Sequence, residues 1–193
     1  MKLIVISGGL REPSSTRLLA DRLGAAVRAE LGQVDIEVVE LRHLARAITD
    51  AMLTGFAAPE LEAVFDAIAG SDGVIAVTPT FNATFSGLFK SFFDVLPEQT
   101  LEGTPVLIAA TGGTERHSLV LDHALRPMFG YLHALVSPTG VFAATADFGA
   151  DGLDVRIAKA ANDFSRLLQL CEPGRRDTVS AELDEMQRLL AGA

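Results

Sequence analysis

Ten residues near the start of the chain, SGGLREPSST, hold four hydroxyls and one guanidinium: Ser7, Arg11, Ser14, Ser15 and Thr16. Hydroxyls and an arginine at the start of a helix can hold an anion, because the free N–H groups of the first turn and the positive end of the helix dipole converge there. The stretch is neither a Walker A loop nor G-x-G-x-x-G, so it suits one phosphate monoester rather than a triphosphate or a dinucleotide pyrophosphate. Simple capping by Ser14 or Ser15, with Arg11 in solvent, is the plainer alternative and needs fewer hydroxyls than are present.

A second set, Pro79, Thr80, Phe81 and Asn82, lies in TPTFNATFSG. Pro79 has a fixed φ and no N–H, Asn82 and Thr84 tolerate turn conformations, and the amides of Thr80 to Asn82 have few branched neighbours. A planar heterocycle could lie on that backbone edge, although an ordinary turn capped by Ser86 explains the same residues. Gly112 and Gly113 form a third set. They allow a ring edge to approach the backbone and offer N–H donors, or else serve a loop that needs positive φ. The fourth feature is Pro127, well inside a helical stretch from Ser118 to about Leu132. Its ring and missing N–H predict a widened turn, a π-bulge, near His123. His123 is then either part of a functional turn or a packed or interface histidine.

The elements that must position these groups follow from periodicity. KLIVIS (Lys2 to Ser7) reads as a buried strand and Ser15 to Leu31 as a helix. DIEVVE (Asp35 to Glu40) alternates, with acidic outward positions that suit a sheet edge. Residues 42 to 58 hold a short helical pattern and then a loop, which could serve as a lid or a subunit contact. Pro59 to Gly70 is a helix closed by glycine. Val74 to Thr78 is the central strand, Pro79 to Thr84 a turn, and Ser86 to Leu96 a helix apolar nearly all round. Such a helix needs cover on both sides, from the sheet and from either a second subunit or residues 48 to 58. Pro105 to Thr111 and Ala134 to Val141 are the fourth and fifth strands. VFAATADFGADG reads as an open loop and Leu153 to Leu170 as the closing helix.

Five strands alternating with helices imply a doubly wound, three-layer α/β/α fold with a five-stranded parallel sheet of order 2-1-3-4-5. That order brings the loops after strands 1 and 3 side by side, with Gly112 and Gly113 on the far side. A mononucleotide with a flat ring fits all three. The expected domain is 1–170, and 171–193 reads as a linker with a short tail helix.

Composition bounds the partners. At 193 residues one domain is expected, and a net charge of −9 disfavours nucleic acid without excluding one small phosphorylated ligand. The single Cys171 rules out a disulfide framework and falls on the apolar face of Phe164, Leu167 and Leu168, as a core thiol would. His43 reads as a surface residue, and no Cys/His cluster has zinc spacing, so no metal is expected. The first apolar run, Leu3 to Ile6, is too short for a signal peptide or a span, so a cytoplasmic protein without a membrane partner is expected.

Three stretches, SGGLREPSST, TPTFNATFSGLFKSFFDVLPEQTLEG and ATGGTERHSLVLDHALRPMFGYLHALVSPTGVF, resemble the flavodoxin-like NAD(P)H-dependent FMN reductases. The likeness is to the members that serve two-component monooxygenases such as those of alkanesulfonate use. The resemblance implies that Ser7, Arg11, Ser14, Ser15 and Thr16 hold the FMN phosphate. Pro79, Thr80, Phe81 and Asn82 would line the isoalloxazine, and Thr111, Gly112 and Gly113 would meet its edge. It also implies a homodimer or homotetramer, and hydride transfer from NADPH or NADH to FMN with no side chain needed as acid or base. The reduced FMN would then pass to a flavin-dependent monooxygenase. Family members that pass flavin on carry an inserted π turn, often with Tyr where this chain has His123. A quinone or azo reductase with resident FMN, and a non-enzymatic flavodoxin-like electron carrier, are the alternatives.

Overall fold

The structure is a computed structural model that describes residues 1–171; the expected linker and tail helix lie outside the described residues. The elements are β1 (Lys2–Ser7), α1 (Ser15–Leu31), β2 (Asp35–Glu40), α2 (Ala45–Thr54), α3 (Pro59–Ala69), β3 (Gly73–Phe81), β4 (Thr84–Phe85) and α4 (Gly87–Val95). They continue as β5 (Pro105–Gly112), α5 (Arg126–Tyr131), β6 (Leu135–Val136), β7 (Val141–Ala144) and α6 (Gly152–Leu170). The strands form one sheet of order β2-β1-β3-β5-β6, with β7 also on β5 and β4 folded back on β3. Apart from the β3–β4 pair every ladder is parallel.

Period-2 alternation along buried strands divides the core in two. Ile4, Ile6, Val74, Ala76, Val106 and Ile108 face α2, α3, α4 and α5. Leu3, Val5, Ile75, Val77, Leu107 and Ala109 face α1 and α6. Both faces of the central strands are covered, which is why they are continuously apolar rather than alternating with polar residues. β2 sits at the edge, as its acidic residues require.

Several elements depart from the sequence reading. The expected fifth strand is two pieces, β6 on Pro105 and Val106 and β7 on Ala109 to Gly112, and the short β4 is added on β3, so the sheet has seven strands rather than five. Pro138 lies in the break, and Arg126 donates to the carbonyls of Ser137 (3.1 Å) and Pro138 (3.2 Å) there. The first residues of the expected open loop are therefore strand, followed by a 3-10 turn over Thr145–Gly149. Residues 42 to 58 resolve into a 3-10 turn, Leu41–Leu44, and helix α2, which ends at Gly55 with φ 78°.

α2 packs on α4, so the chain itself supplies cover for α4 on the side away from the sheet. Cys171 caps α6 with extended backbone and is half-buried, instead of continuing the helix's apolar face.

Pro127 has the expected effect. Leu121–Leu125 forms a π turn, in which the Arg126 N–H reaches back to the Leu121 carbonyl. The wider turn spares the carbonyl of His123 from the proline ring, and His123 itself is exposed.

Candidate functional site

Three segments meet at the carboxyl ends of β1, β3 and β5. The first runs from Gly8 to Ser14. Gly8 N–H donates to the Val77 carbonyl at 2.8 Å, anchoring the loop to β3. Ser14 caps α1, accepting from the Arg17 N–H at 3.1 Å. A Cβ on Gly9 would lie 2.2 Å from Ser14 Oγ and 3.2 Å from Thr16 Cβ, so glycine there lets the loop close over the cap. The sequence reading missed Gly9, whose signal was its place between strand and cap. Arg11 and Ser15 are exposed, and Arg11 has no ion pair among the described residues.

The second segment is the β3–β4 hairpin. β3 continues past Thr78 through Pro79 to Phe81, and Thr80 and Phe81 pair with Phe85 and Thr84. The expected open turn is thus a tight hairpin whose tip, Asn82 and Ala83, has φ of 48° and 70°. Asparagine tolerates that region; alanine adopts it at a cost of about 1–2 kcal/mol. Phe81 stands 42% exposed beside the tip. Thr78 Oγ1 accepts from the Ser86 N–H at 3.1 Å, Ser86 Oγ accepts from the Phe89 N–H at 3.2 Å, and Ser86 Oγ donates to the Gly8 carbonyl at 3.5 Å. Ser86 therefore ties the hairpin, α4 and the first loop together.

The third segment is Thr111 to Gly113. Thr111 and Thr16 share a buried hydroxyl–hydroxyl bond of 2.8 Å, which joins β5 to the first turn of α1. One of the two hydroxyls donates and the other accepts. Replacing either by valine strands the other, with an expected cost of about 1–3 kcal/mol. The Thr16→Val/Thr111→Val double variant is expected to cost less than the sum of the singles in urea unfolding, and additive costs would show that the pair does not couple. A Cβ on Gly112 would crowd Phe142 at 2.9 Å, whereas nothing lies within 4 Å of one on Gly113, which faces open space.

Among the described residues four side-chain hydroxyls are buried without a hydrogen-bond partner: Ser7 Oγ at the end of β1 and Thr80 Oγ1 in the hairpin lie at these loops, Ser137 and Ser165 elsewhere. A buried hydroxyl left unpaired costs free energy, so polar atoms of a ligand are the natural partners here. Together with the first turn of α1 and the open side of Gly113, they fit a ligand with a phosphate at one end and a flat polar ring at the other.

The first loop is braced from outside by a charge lattice that the sequence reading did not anticipate. Glu12 accepts from Arg42 at 2.7 Å, Arg42 also reaches Glu40 at 3.2 Å, and Glu40 accepts from Arg17 at 2.7 Å. The Arg42 hydrogen bond, then its charge, holds the Glu12 carboxyl below its ordinary value of 4.5. A lowered folded pKa stabilises the protein above the ordinary value, and that stabilisation fades as pH falls through the depressed one. Glu12→Gln is accordingly expected to lower the melting temperature slightly at pH 7, with the difference closing below about pH 4.5. A gap that persists to pH 3 would show that the bond does not act through ionisation.

The fold is that of a flavodoxin-like α/β protein, with these three loops at the carboxyl ends of the strands beside the switch point of its sheet, where ligands of such sheets sit. The chain belongs to the NADPH-dependent FMN reductase family, whose profile matches residues 1–149. It is 41% identical over 168 residues to an FMN reductase (NADPH) from Pseudomonas aeruginosa, covering 83% of this chain and 88% of that one. It is 36% identical over 148 residues to the NADH-dependent FMN reductase SfnF of Pseudomonas putida, covering 77% and 80%. Among solved structures, an oxidoreductase from Corynebacterium diphtheriae superposes with a TM-score of 0.82 at 46% identity, over 86% of this chain and 96% of that one. The protein is thus an oxidoreductase that works with FMN and NADPH or NADH. Among the described residues no helix is long and apolar enough to cross a membrane, and no group of acidic, histidine or cysteine side chains could hold a metal.

Proposed function

We propose that FMN enters this crevice as a substrate, is reduced there by a nicotinamide, and leaves for a flavin-dependent monooxygenase. The observation that carries the reading is the meeting of three loops at the carboxyl ends of the neighbouring strands β1, β3 and β5, with buried hydroxyls lacking a partner at two of them, Ser7 Oγ and Thr80 Oγ1. Ser7, Arg11, Ser14, Ser15 and the amides that open α1 take the phosphate. Thr16 acts through the Thr111 hydroxyl and the placing of the helix. Pro79, Thr80, Phe81 and Asn82 line one side of the ring, and Thr111, Gly112 and Gly113 meet its edge.

FMN supplies a two-electron acceptor for hydride from the nicotinamide. The chain's part is orientation: two rings must stack at a set distance, and no protein acid or base is required. Release is supported by the π turn, which sets exposed His123 on an irregular backbone beside the exposed Leu119. With the exposed Tyr131, these groups suit a homodimeric or homotetrameric contact that loosens flavin, in a cytoplasmic setting.

Steady-state oxidation of NADH and NADPH by flavin-stripped protein tests the reading. Turnover that saturates in FMN at micromolar excess over enzyme is expected. Full activity with stoichiometric FMN and an added quinone or dye would instead make FMN a resident group. No oxidation of either nicotinamide with FMN in excess would leave an electron carrier.

A further inference from the structure

We propose that Arg42 is a positioning residue for the loop between β1 and α1: it draws the Glu12 carboxylate to itself and so leaves the neighbouring Arg11 unpaired for the FMN phosphate. The inference rests on the reading that this loop takes that phosphate.

Charge sets the problem. The chain carries −9, and Arg11 and Glu12 stand next to each other in one loop, both exposed. Charges in so short a loop lie within the Debye length of about 8 Å at physiological ionic strength, so both act on a ligand bound there. A phosphate monoester brings about −1.5 to −2 more. An unheld carboxylate at position 12 would repel it and compete with it for the Arg11 guanidinium.

The sheet supplies another partner. β1 and β2 pair with Ser7 opposite Glu40, so the two strands end at one level. The chain leaves β1 into the loop, and leaves β2 into the 3-10 turn Leu41–Leu44. Arg42 in that turn donates from Nη1 to Glu12 Oε2 at 2.7 Å and from Nε to Glu40 Oε2 at 3.2 Å. Glu40 Oε1 in turn accepts from Arg17 Nη1 at 2.7 Å, and Arg17 lies in the first turn of α1. The Glu40 side chain is only 17% exposed, whereas that of Glu12 is 77% exposed. Glu40 therefore fixes the direction of Arg42 from a half-buried position, and Arg42 fixes the direction of Glu12. An exposed ion pair holds a loop only weakly. Its larger effect is on where the charge of Glu12 goes.

The cations divide accordingly. Arg17 and Arg42 are committed to Asp21, Glu40 and Glu12, while Arg11 has no ion pair among the described residues. Its loop begins at the buried, unpartnered Ser7 Oγ and ends at the Ser14 cap. The guanidinium left over is thus the one flanked by the other phosphate donors.

The test is fluorescence titration of flavin-stripped protein with FMN and with riboflavin, which lacks the phosphate. Wild-type protein is expected to prefer FMN by about tenfold or more. Arg42→Ala is expected to cut that preference about fivefold or more, with riboflavin affinity unchanged, and in turnover to raise KM for FMN without changing kcat. Arg42→Lys, which keeps the charge, is expected to recover most of the loss. Glu12→Gln is expected to bind FMN at least as tightly as wild type, and Glu12→Gln/Arg42→Ala to bind it like Glu12→Gln, since no carboxylate is left to draw away. The Glu12 variants separate charge from shape: an ion pair that acted as a brace would be lost equally in Glu12→Gln and Arg42→Ala. An FMN preference that survives Arg42→Ala, weakened FMN binding by Glu12→Gln, or a loss in the double variant equal to that of Arg42→Ala would overturn the proposal and leave the phosphate reading standing. Equal affinity of wild type for the two flavins would overturn that reading, and the proposal with it.

Discussion

Replacing Phe89 by alanine is expected to cost about 3–5 kcal/mol of stability, the range for deleting a buried aromatic side chain. For a domain of this size that is a drop in melting temperature of roughly 6–20 °C. Phe89 is fully buried, meets Phe93 edge-on at 4.8 Å and Phe129 at 6.4 Å, and touches Phe85 at 6.2 Å. It therefore links the hairpin, α4 and the helix that follows the π turn.

Phe89 also backs the loop between β1 and α1, since a Cβ on Gly8 would lie 3.0 Å from its ring. Losing the ring should consequently weaken FMN binding as well as stability. Phe89→Leu, which keeps most of the volume, is expected to cost under about 1.5 kcal/mol. Urea unfolding of both variants decides the matter. A loss near 1 kcal/mol for the alanine variant would mean that α4 and its neighbours collapse into the cavity and the cluster is not a hub.

The second large effect is on the ligand rather than the fold. Arg11→Ala removes a charge-assisted contact worth about 1.5–3 kcal/mol, so the FMN dissociation constant is expected to rise roughly 10- to 150-fold. Riboflavin, which lacks the phosphate, should bind both proteins alike, and Arg11→Lys should recover part of the loss by keeping the charge without the fork. Because Arg11 is exposed and has no ion pair among the described residues, the melting temperature of the ligand-free variant should not move. Fluorescence titration with the two flavins reads the effect directly. An equal loss for riboflavin would take Arg11 out of the phosphate site, and an unchanged FMN affinity would take it out of the site altogether.

Much of this protein is legible along the chain. β1, α1 and β2 have the limits that apolar runs, an N-cap serine and acidic alternation predict, because those signals are local and act within a few residues. The π turn was readable for the same reason: a proline's missing N–H and its ring act on a carbonyl four residues back, whatever surrounds them.

What tertiary structure decided involves partners far away in sequence. The split of the fifth strand shows only in its pairing, β6 with Pro105 and Val106 and β7 with Ala109 to Gly112 of the distant β5. The hairpin at Thr80–Phe85 forms although its tip lacks the glycine that such a turn favours, so long-range packing overrides local preference there. The lattice from Glu12 to Arg42 and the bond between Thr16 and Thr111 join residues 30 and 95 positions apart. Such pairs leave no periodic trace in a sequence, and only the folded sheet, by setting β2, β1, β3 and β5 side by side, brings their members together.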